Sequence, residues 1–137
     1  MSLQFLNTKI LVVGGAGFVG SNLVHLLLNE NPREIIIVDN LISSDTVNIP
    51  LDERVTFNYG SITEDKVLNN LSKDIDYVFH LACYHGNQSS IADPFADHAN
   101  NTLTSLKLFD AIKRMSSIKK VVYAAAACAV AEKTYDD

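Results

Sequence analysis

Apolar positions along the chain follow two alternating rhythms. Short apolar runs occupy residues 10–13 (Ile-Leu-Val-Val), 35–38 (Ile-Ile-Ile-Val), 77–81 (Tyr-Val-Phe-His-Leu) and 121–125 (Val-Val-Tyr-Ala-Ala), with a weaker alternating one at 55–57. Runs of this length rich in Val and Ile predict strands buried on both faces, as in a parallel sheet. Between them the period lengthens. Residues 18–29 are apolar on most turns, and residues 63–71 bring Val67, Leu68 and Leu71 to one helical face. Further on, Ile91, Phe95, Ala99, Leu103, Leu106, Phe109 and Ile112 recur every three or four residues, which predicts one long amphipathic helix. Pro94 suits its first turn, where a missing N–H would have no partner anyway. Strands alternating with helices predict an α/β fold, a doubly wound parallel sheet with right-handed crossovers, strand order 3-2-1-4-5 and an end after the fifth strand. The polar connector at 40–54 is long for such a fold and suits the rim of a ligand site.

Composition narrows the function classes. The 137 residues make one domain on the usual size scale. At 47% hydrophobic and 20% charged, the chain has the content of a packed globule rather than a disordered one. A net charge of −5 without a dense basic run argues against a nucleic-acid partner. The longest apolar run, residues 121–131, has 11 residues. A membrane span needs about 18, and the N-terminus lacks the basic-then-apolar layout of a signal peptide. Two cysteines, Cys83 and Cys128, are too few for a disulfide scaffold and read as reduced thiols. They would lie near the same edge of neighbouring strands, which permits proximity without requiring a bond. A soluble, cytoplasmic, single α/β domain remains.

The candidate chemistry lies at residues 10–20. Gly14, Gly17 and Gly20 form a Gly-x-x-Gly-x-x-Gly run directly after one predicted strand and at the start of a helix, with Phe18 and Val19 between the last two. The first glycine permits the tight turn, the second lets backbone approach a pyrophosphate, and the third allows close helix packing. The helix start offers unpaired N–H groups and partial positive charge. Asp39, 19 positions after Gly20, ends the second strand and can accept both hydroxyls of an adenosine ribose. Asn40, Leu41 and Ile42 follow it with no Lys or Arg to balance a 2′-phosphate, which favours NAD over NADP.

Taken together, the chain resembles the N-terminal part of the extended short-chain dehydrogenases/reductases, in the NAD-dependent nucleotide-sugar epimerase/dehydratase group. The resemblance rests on residues 14–20, Val38-Asp39-Asn40, Tyr59-Gly60-Ser61-Ile62-Thr63, Val78-Phe79-His80-Leu81-Ala82, and residues 94–108 with Asn101. It covers nearly the whole chain, in family order and spacing. It implies NAD as cofactor, a UDP- or other NDP-sugar as substrate partner, and room for a homodimer. The resemblance implies that Asn40 joins Asp39 at the cofactor and that Ser61 and Ile62 lie against the adenine, although the family usually has Asp where Ser61 stands. Leu81, Ala82 and Cys83 would line the ribose and pyrophosphate. His85 matches a position where some members carry a cofactor-reaching Lys, Asn101 matches a helix Asn that braces the loop after the fourth strand, and Tyr123 completes the cofactor set. Ser90 matches a serine at the sugar mouth. Residues 84–90 (Tyr-His-Gly-Asn-Gln-Ser-Ser) resemble a branch linked to bacterial surface-polysaccharide sugars.

Other polar residues have plainer readings. His80 reads as a packed strand-end histidine, and His25 and His98 as surface or packing residues. His80, Cys83 and His85 lack a fourth ligand at metal spacing, so no metal is expected. The family's chemistry uses a Ser or Thr at the end of the fifth strand and a later Tyr-x-x-x-Lys pair. Here Ala126 takes the first place, six alanines fall within residues 124–131, Tyr123 is followed at that spacing by Ala127, and Tyr135 by only two residues. The expectation is an incomplete dinucleotide-binding domain over residues 1–137, lacking the sugar-binding region, with no catalytic residue of its own and no turnover alone. A catalytically inactive NAD-sensing module is the alternative.

Overall fold

A computed structural model describes residues 4–84 and 86–125. Five parallel strands make one sheet: β1 (Lys9–Val13), β2 (Glu34–Asp39), β3 (Val55–Tyr59), β4 (Tyr77–His80) and β5 (Lys120–Tyr123), in the order β3-β2-β1-β4-β5. The expected order is therefore observed. Side chains alternate across the central strands. Ile10 and Val12 of β1, with Ile35 and Ile37 of β2, pack against Val24 and Leu27 of helix α1 (Phe18–Leu28). On the opposite face Leu11, Val13, Ile36, Val38 and Val78 meet Val67 of α2 (Asp65–Asn69), with Leu71 just beyond it. Continuous aliphatic runs are what a sheet covered on both sides requires.

The expected long helix is a correction. The chain forms α3 (Asn87–Ala92), α4 (Pro94–Asp97), a π-turn (His98–Thr102) and α5 (Leu103–Ile112). Asp93 caps α4 by accepting from Ala96 N at 2.9 Å, with Pro94 in its first turn. The extra residue of a π-turn rotates everything after it, so one period cannot run from Ile91 to Ile112. Ile91, Phe95 and Leu106 are 82%, 85% and 64% exposed, while Thr104, Leu108 and Ile112 are buried. All four residues of β5 are exposed as well.

The two ends of the sheet differ. At the N-terminal ends of the strands, Lys9 Nζ pairs with Asp74 (2.8 Å) and Glu34 (3.1 Å), Arg33 with Asp74 (2.9 Å), and Lys119 with Asp76 (2.9 Å). The hydrogen bonds and charge of Lys9, with a smaller part from Ser72 and Arg33, hold the Asp74 carboxyl far below the usual carboxylate range. The C-terminal ends instead open into loops, where ligands bind in doubly wound sheets.

Candidate functional site

The cleft begins where β1 ends. Gly14 has φ +83°, and a Cβ there would stand 2.6 Å from Ala82 N. Only glycine lets the chain turn this close to the end of β4. Gly17 is the cap of α1, and a Cβ there would meet only Gly14 O, at 3.4 Å. Gly20 is closed, since its Cβ would lie 2.1 Å from Gly14 O. The third glycine thus serves the loop beneath the helix, while the contact with the sheet falls to Gly15, whose Cβ would meet Ile37 at 2.7 Å. No side chain caps α1. The N–H groups of its first turn, at Phe18, Val19 and Gly20, lack intrahelical partners and lie where the cleft begins.

Asp39 is more occupied than expected. Its Oδ2 accepts from Ala16 N (3.0 Å), and its Oδ1 accepts from Leu41 N (2.9 Å) and Ser44 Oγ (2.9 Å). A carboxylate offers about four acceptor positions. Three are taken by the protein itself, so the two ribose hydroxyls expected at Asp39 would compete with these internal donors. Leu41 reaches Asp39 from φ +58°, a left-handed conformation costly for a leucine. The connector beyond is tied back to the glycine loop by Asn48 Nδ2, which donates to Ala16 O at 2.9 Å.

A second rim follows β3. Gly60 N donates to Asp39 O (3.0 Å), and Ser61 Oγ lies 2.8 Å from Thr63 Oγ1 and accepts from Thr63 N (3.2 Å). Glu64 reaches back to accept from Ser61 N at 2.7 Å. Ile62 is buried beneath. The third wall is the segment after β4, where Leu81 N donates to Val13 O (2.8 Å) and Cys83 is exposed. Behind it, His80 is buried against Tyr123 and Phe109. Ser105 Oγ donates to Asn101 O (3.0 Å) and stands 3.0 Å from His80 Nε2. Its one hydrogen is thus spent, so Nε2 carries the proton and Nδ1 is buried without a hydrogen-bond partner. Burial pushes the His80 pKa down.

These walls enclose a cleft of about 280 Å³. It is lined by Gly14, Gly17, Phe18, Val19 and Gly20, by Asp39 and Asn40, by Ser61 and Ile62, and by Leu81, Ala82 and Cys83, all of which the sequence suggested. Three suggested residues lie elsewhere. Asn101 braces the third wall from behind, accepting from Tyr84 N at 2.7 Å. Tyr123 packs at a tilt against His80, with centroids 5.4 Å apart, and Ser90 donates to Asp97 at 2.8 Å. His85, Ala126, Cys128 and Tyr135 fall outside the described residues. Lining residues missed by sequence reasoning include Ser43, Ser44, Tyr84, Asn100 and Thr104. The polar connector at 40–54 signalled the two serines, whereas nothing in the helical period signalled Asn100 over Asn101. Among the described residues no three His, Cys, Asp or Glu side chains could hold a metal ion, and no helix is long and apolar enough to cross a membrane.

A glycine loop under a helix start, with a carboxylate at the end of the neighbouring strand, defines a Rossmann-type dinucleotide fold. Comparison with known proteins narrows that class. Residues 10–137 match the NAD dependent epimerase/dehydratase family, and the chain belongs to it. The putative UDP-glucose 4-epimerase of Methanocaldococcus jannaschii is 34% identical over 122 residues, 88% of this chain and 39% of that protein. The Bordetella bronchiseptica enzyme WbmF, crystallised with NAD+, superposes with a TM-score of 0.89 at 51% identity over 98% of this chain and 41% of WbmF. In its crystal with NAD+ and UDP the values are 0.86 and 54%, over 90% of this chain and 37% of WbmF. The chain thus spans about two fifths of the length of these relatives.

Proposed function

We propose that this chain is the NAD-holding part of a nucleotide-sugar epimerase or dehydratase acting on a UDP- or other NDP-sugar. The observation that carries the reading is the open space at Gly17, beside the uncapped start of α1 and facing the Asp39 carboxylate. A pyrophosphate fits there because amide N–H groups and the helix dipole favour negative charge. Asp39 would take the adenosine ribose and Ser61 and Ile62 the adenine. Leu81, Ala82 and Cys83 would line the ribose and pyrophosphate, and Ser90 would border the sugar. NAD, when bound, supplies a reversible hydride acceptor. The chain's own residues bind and orient it and exclude water from its buried side.

Relatives of more than twice this length support a further sugar-binding region beyond this domain. In this reading that remaining polypeptide and a second copy of the protein cover the exposed apolar residues Ile91, Phe95 and Phe109. The resemblance of residues 84–90 supports a place in bacterial surface-polysaccharide sugar synthesis, in the cytoplasm where nucleotide sugars are made. The competing reading, an NAD-binding module without chemistry, rests on Ala126, whose methyl cannot donate to a substrate oxygen. Calorimetric titration with NAD, followed by chromatography of UDP-sugars incubated with the full-length protein and NAD, separates the two. Conversion supports the enzyme, binding without conversion supports the module, and absence of NAD binding overturns both.

A further inference from the structure

A relay of hydrogen bonds joins α4 to the third wall of the cleft. Asp97, half-buried at the end of α4, accepts on Oδ1 from both Ser90 Oγ (2.8 Å) and Asn101 Nδ2 (2.7 Å). Asn101 accepts on its own Oδ1 from Tyr84 N (2.7 Å), and its Nδ2 also reaches Tyr84 O at 3.5 Å. Its main-chain carbonyl is already held by Ser105 Oγ (3.0 Å), and it sits in the π-turn, out of the regular helix ladder. The residue is therefore held, and its carboxamide has one choice left: which end meets Asp97 and which meets the Tyr84 N–H.

The two ends of a carboxamide are nearly equal in shape and opposite in hydrogen-bonding character. Packing alone does not decide between them. A carboxylate only accepts. Asp97 thus admits the Asn101 NH₂ and refuses its oxygen, which leaves that oxygen for the Tyr84 N–H. The reversed amide would set oxygen against oxygen at Asp97 and N–H against N–H at Tyr84. Tyr84 and the adjacent Cys83 line the cleft.

We propose that Asp97 is a positioning residue, which fixes the orientation of the Asn101 amide and thereby the Cys83-Tyr84 wall of the cofactor cleft. Its consequence for NAD rests on the function proposed above, while its consequence for the wall does not. The carboxylate accepts and cannot donate, and Asp97→Asn and Asp97→Ala separate those two properties. Asp97→Asn keeps an oxygen for Ser90 and Asn101, whereas Asp97→Ala removes it. Asn101→Asp sets two carboxylates against each other, and the exchanged pair Asp97→Asn with Asn101→Asp restores donor to acceptor.

The test measures hydrogen exchange of the Tyr84 amide in the full chain, with the amides of β1 and β2 as the fold control, and NAD affinity by calorimetry. In Asp97→Ala, exchange at Tyr84 should rise about tenfold or more with β1 and β2 unchanged. NAD should bind about three- to tenfold more weakly, the equivalent of losing roughly one neutral hydrogen bond. Asp97→Asn, which keeps an acceptor but no longer refuses the reversed amide, should fall between the unsubstituted protein and Asp97→Ala, and the exchanged pair should recover the protection that Asn101→Asp loses. Unchanged Tyr84 exchange in Asp97→Ala overturns the proposal. If Asp97→Ala fails to fold, the exchanged pair decides: no recovery over Asn101→Asp overturns it. Absence of NAD binding in the unsubstituted protein would overturn the proposed function instead, and the exchange pattern at Tyr84 would still judge Asp97.

Discussion

Gly17 and Gly20 stand three residues apart in one loop, and the same substitution should injure the protein in opposite ways. At Gly17 the backbone is extended (φ −73°, ψ 173°), and an added Cβ meets only Gly14 O, at an ordinary 3.4 Å. Gly17→Ala should therefore fold as well as the unsubstituted protein, or gain about 0.4–1 kcal/mol because the unfolded chain loses freedom. The methyl nevertheless occupies the space beside the first amides of α1. If it denies a pyrophosphate two charge-assisted hydrogen bonds at about 1.5–3 kcal/mol each, NAD binding falls by about 3–6 kcal/mol, on the order of 10²–10⁴-fold. Gly20→Ala has no such room: its Cβ would lie 2.1 Å from Gly14 O and 2.7 Å from Gly15 Cα, both backbone atoms. The loop must move, at a cost of about 1–3 kcal/mol or more. Urea denaturation and calorimetric NAD titration on the same three proteins test both claims. NAD affinity in Gly17→Ala within about twofold of the unsubstituted protein would refute the phosphate role. A Gly20→Ala protein of undiminished stability would refute the packing argument.

Two other consequences can be measured directly. The unbalanced Asp39 carboxylate should favour NAD over NADP by about tenfold or more, taking one charge clash at about 1.4 kcal/mol, and Asp39→Asn should narrow that ratio; equal affinities in the unsubstituted protein would sink the assignment. Burial lowers the His80 pKa, so the unfolded chain takes up a proton below about pH 6.5 while the folded chain still excludes it. Stability is then fully present above pH 6.5 and falls with pH by up to about 1.4 kcal/mol per unit, until the folded pKa is reached. Asp52, lowered to about 2 by its bonds to Arg54, enters only below about pH 4. Denaturation midpoints from pH 7.5 to 5.0 should slope in the parent and flatten in His80→Gln, and equal slopes would exclude His80 as the source.

Much of the fold was legible because buried parallel strands leave an unambiguous signature. The Ile-Leu-Val-Val of β1 and the Ile-Ile-Ile-Val of β2 admit no solvated face, and the glycine loop between β1 and α1 fixes the turn that joins them. The region from Ile91 to Ile112 was not legible, for a geometric reason. Asp93 and Pro94 start a new helix, and the π-turn then shifts the phase, so a stripe drawn through Ile91, Phe95 and Leu106 runs along exposed positions. The same shift moves Asn100 and Thr104 to the cleft and Asn101 behind its wall. Asp39 shows a different limit. Its position was readable from its place after β2, but its three internal partners depend on how residues 41–44 fold back, and no local period encodes that.

Left-handed backbone occurs at both ends of the sheet, but only at the cleft end does it fall on a residue that tolerates it poorly. Among the described residues five have positive φ: Asn7, Gly14, Asn31, Leu41 and Gly60. Asn tolerates that conformation well, and the two asparagines bond to each other, Asn7 N donating to Asn31 O at 2.9 Å, in a turn near the start of β1. The other three surround the cleft. Gly14 and Gly60 escape the steric cost by lacking a Cβ, but Leu41 does not, and a left-handed leucine costs about 1–2 kcal/mol. What Leu41 obtains locally is a single hydrogen bond to Asp39, worth about 1.5–3 kcal/mol when the acceptor is charged. The two nearly cancel, so folding stability alone gives little reason to hold a leucine there. A carboxylate kept at a fixed orientation on the cleft wall gives one, because a ligand that meets a preset acceptor loses less freedom on binding than one that must order it. A left-handed leucine beside Asp39, where the ion-paired end uses only asparagines, is the distribution expected if the C-terminal ends of the strands are where this protein binds its ligand.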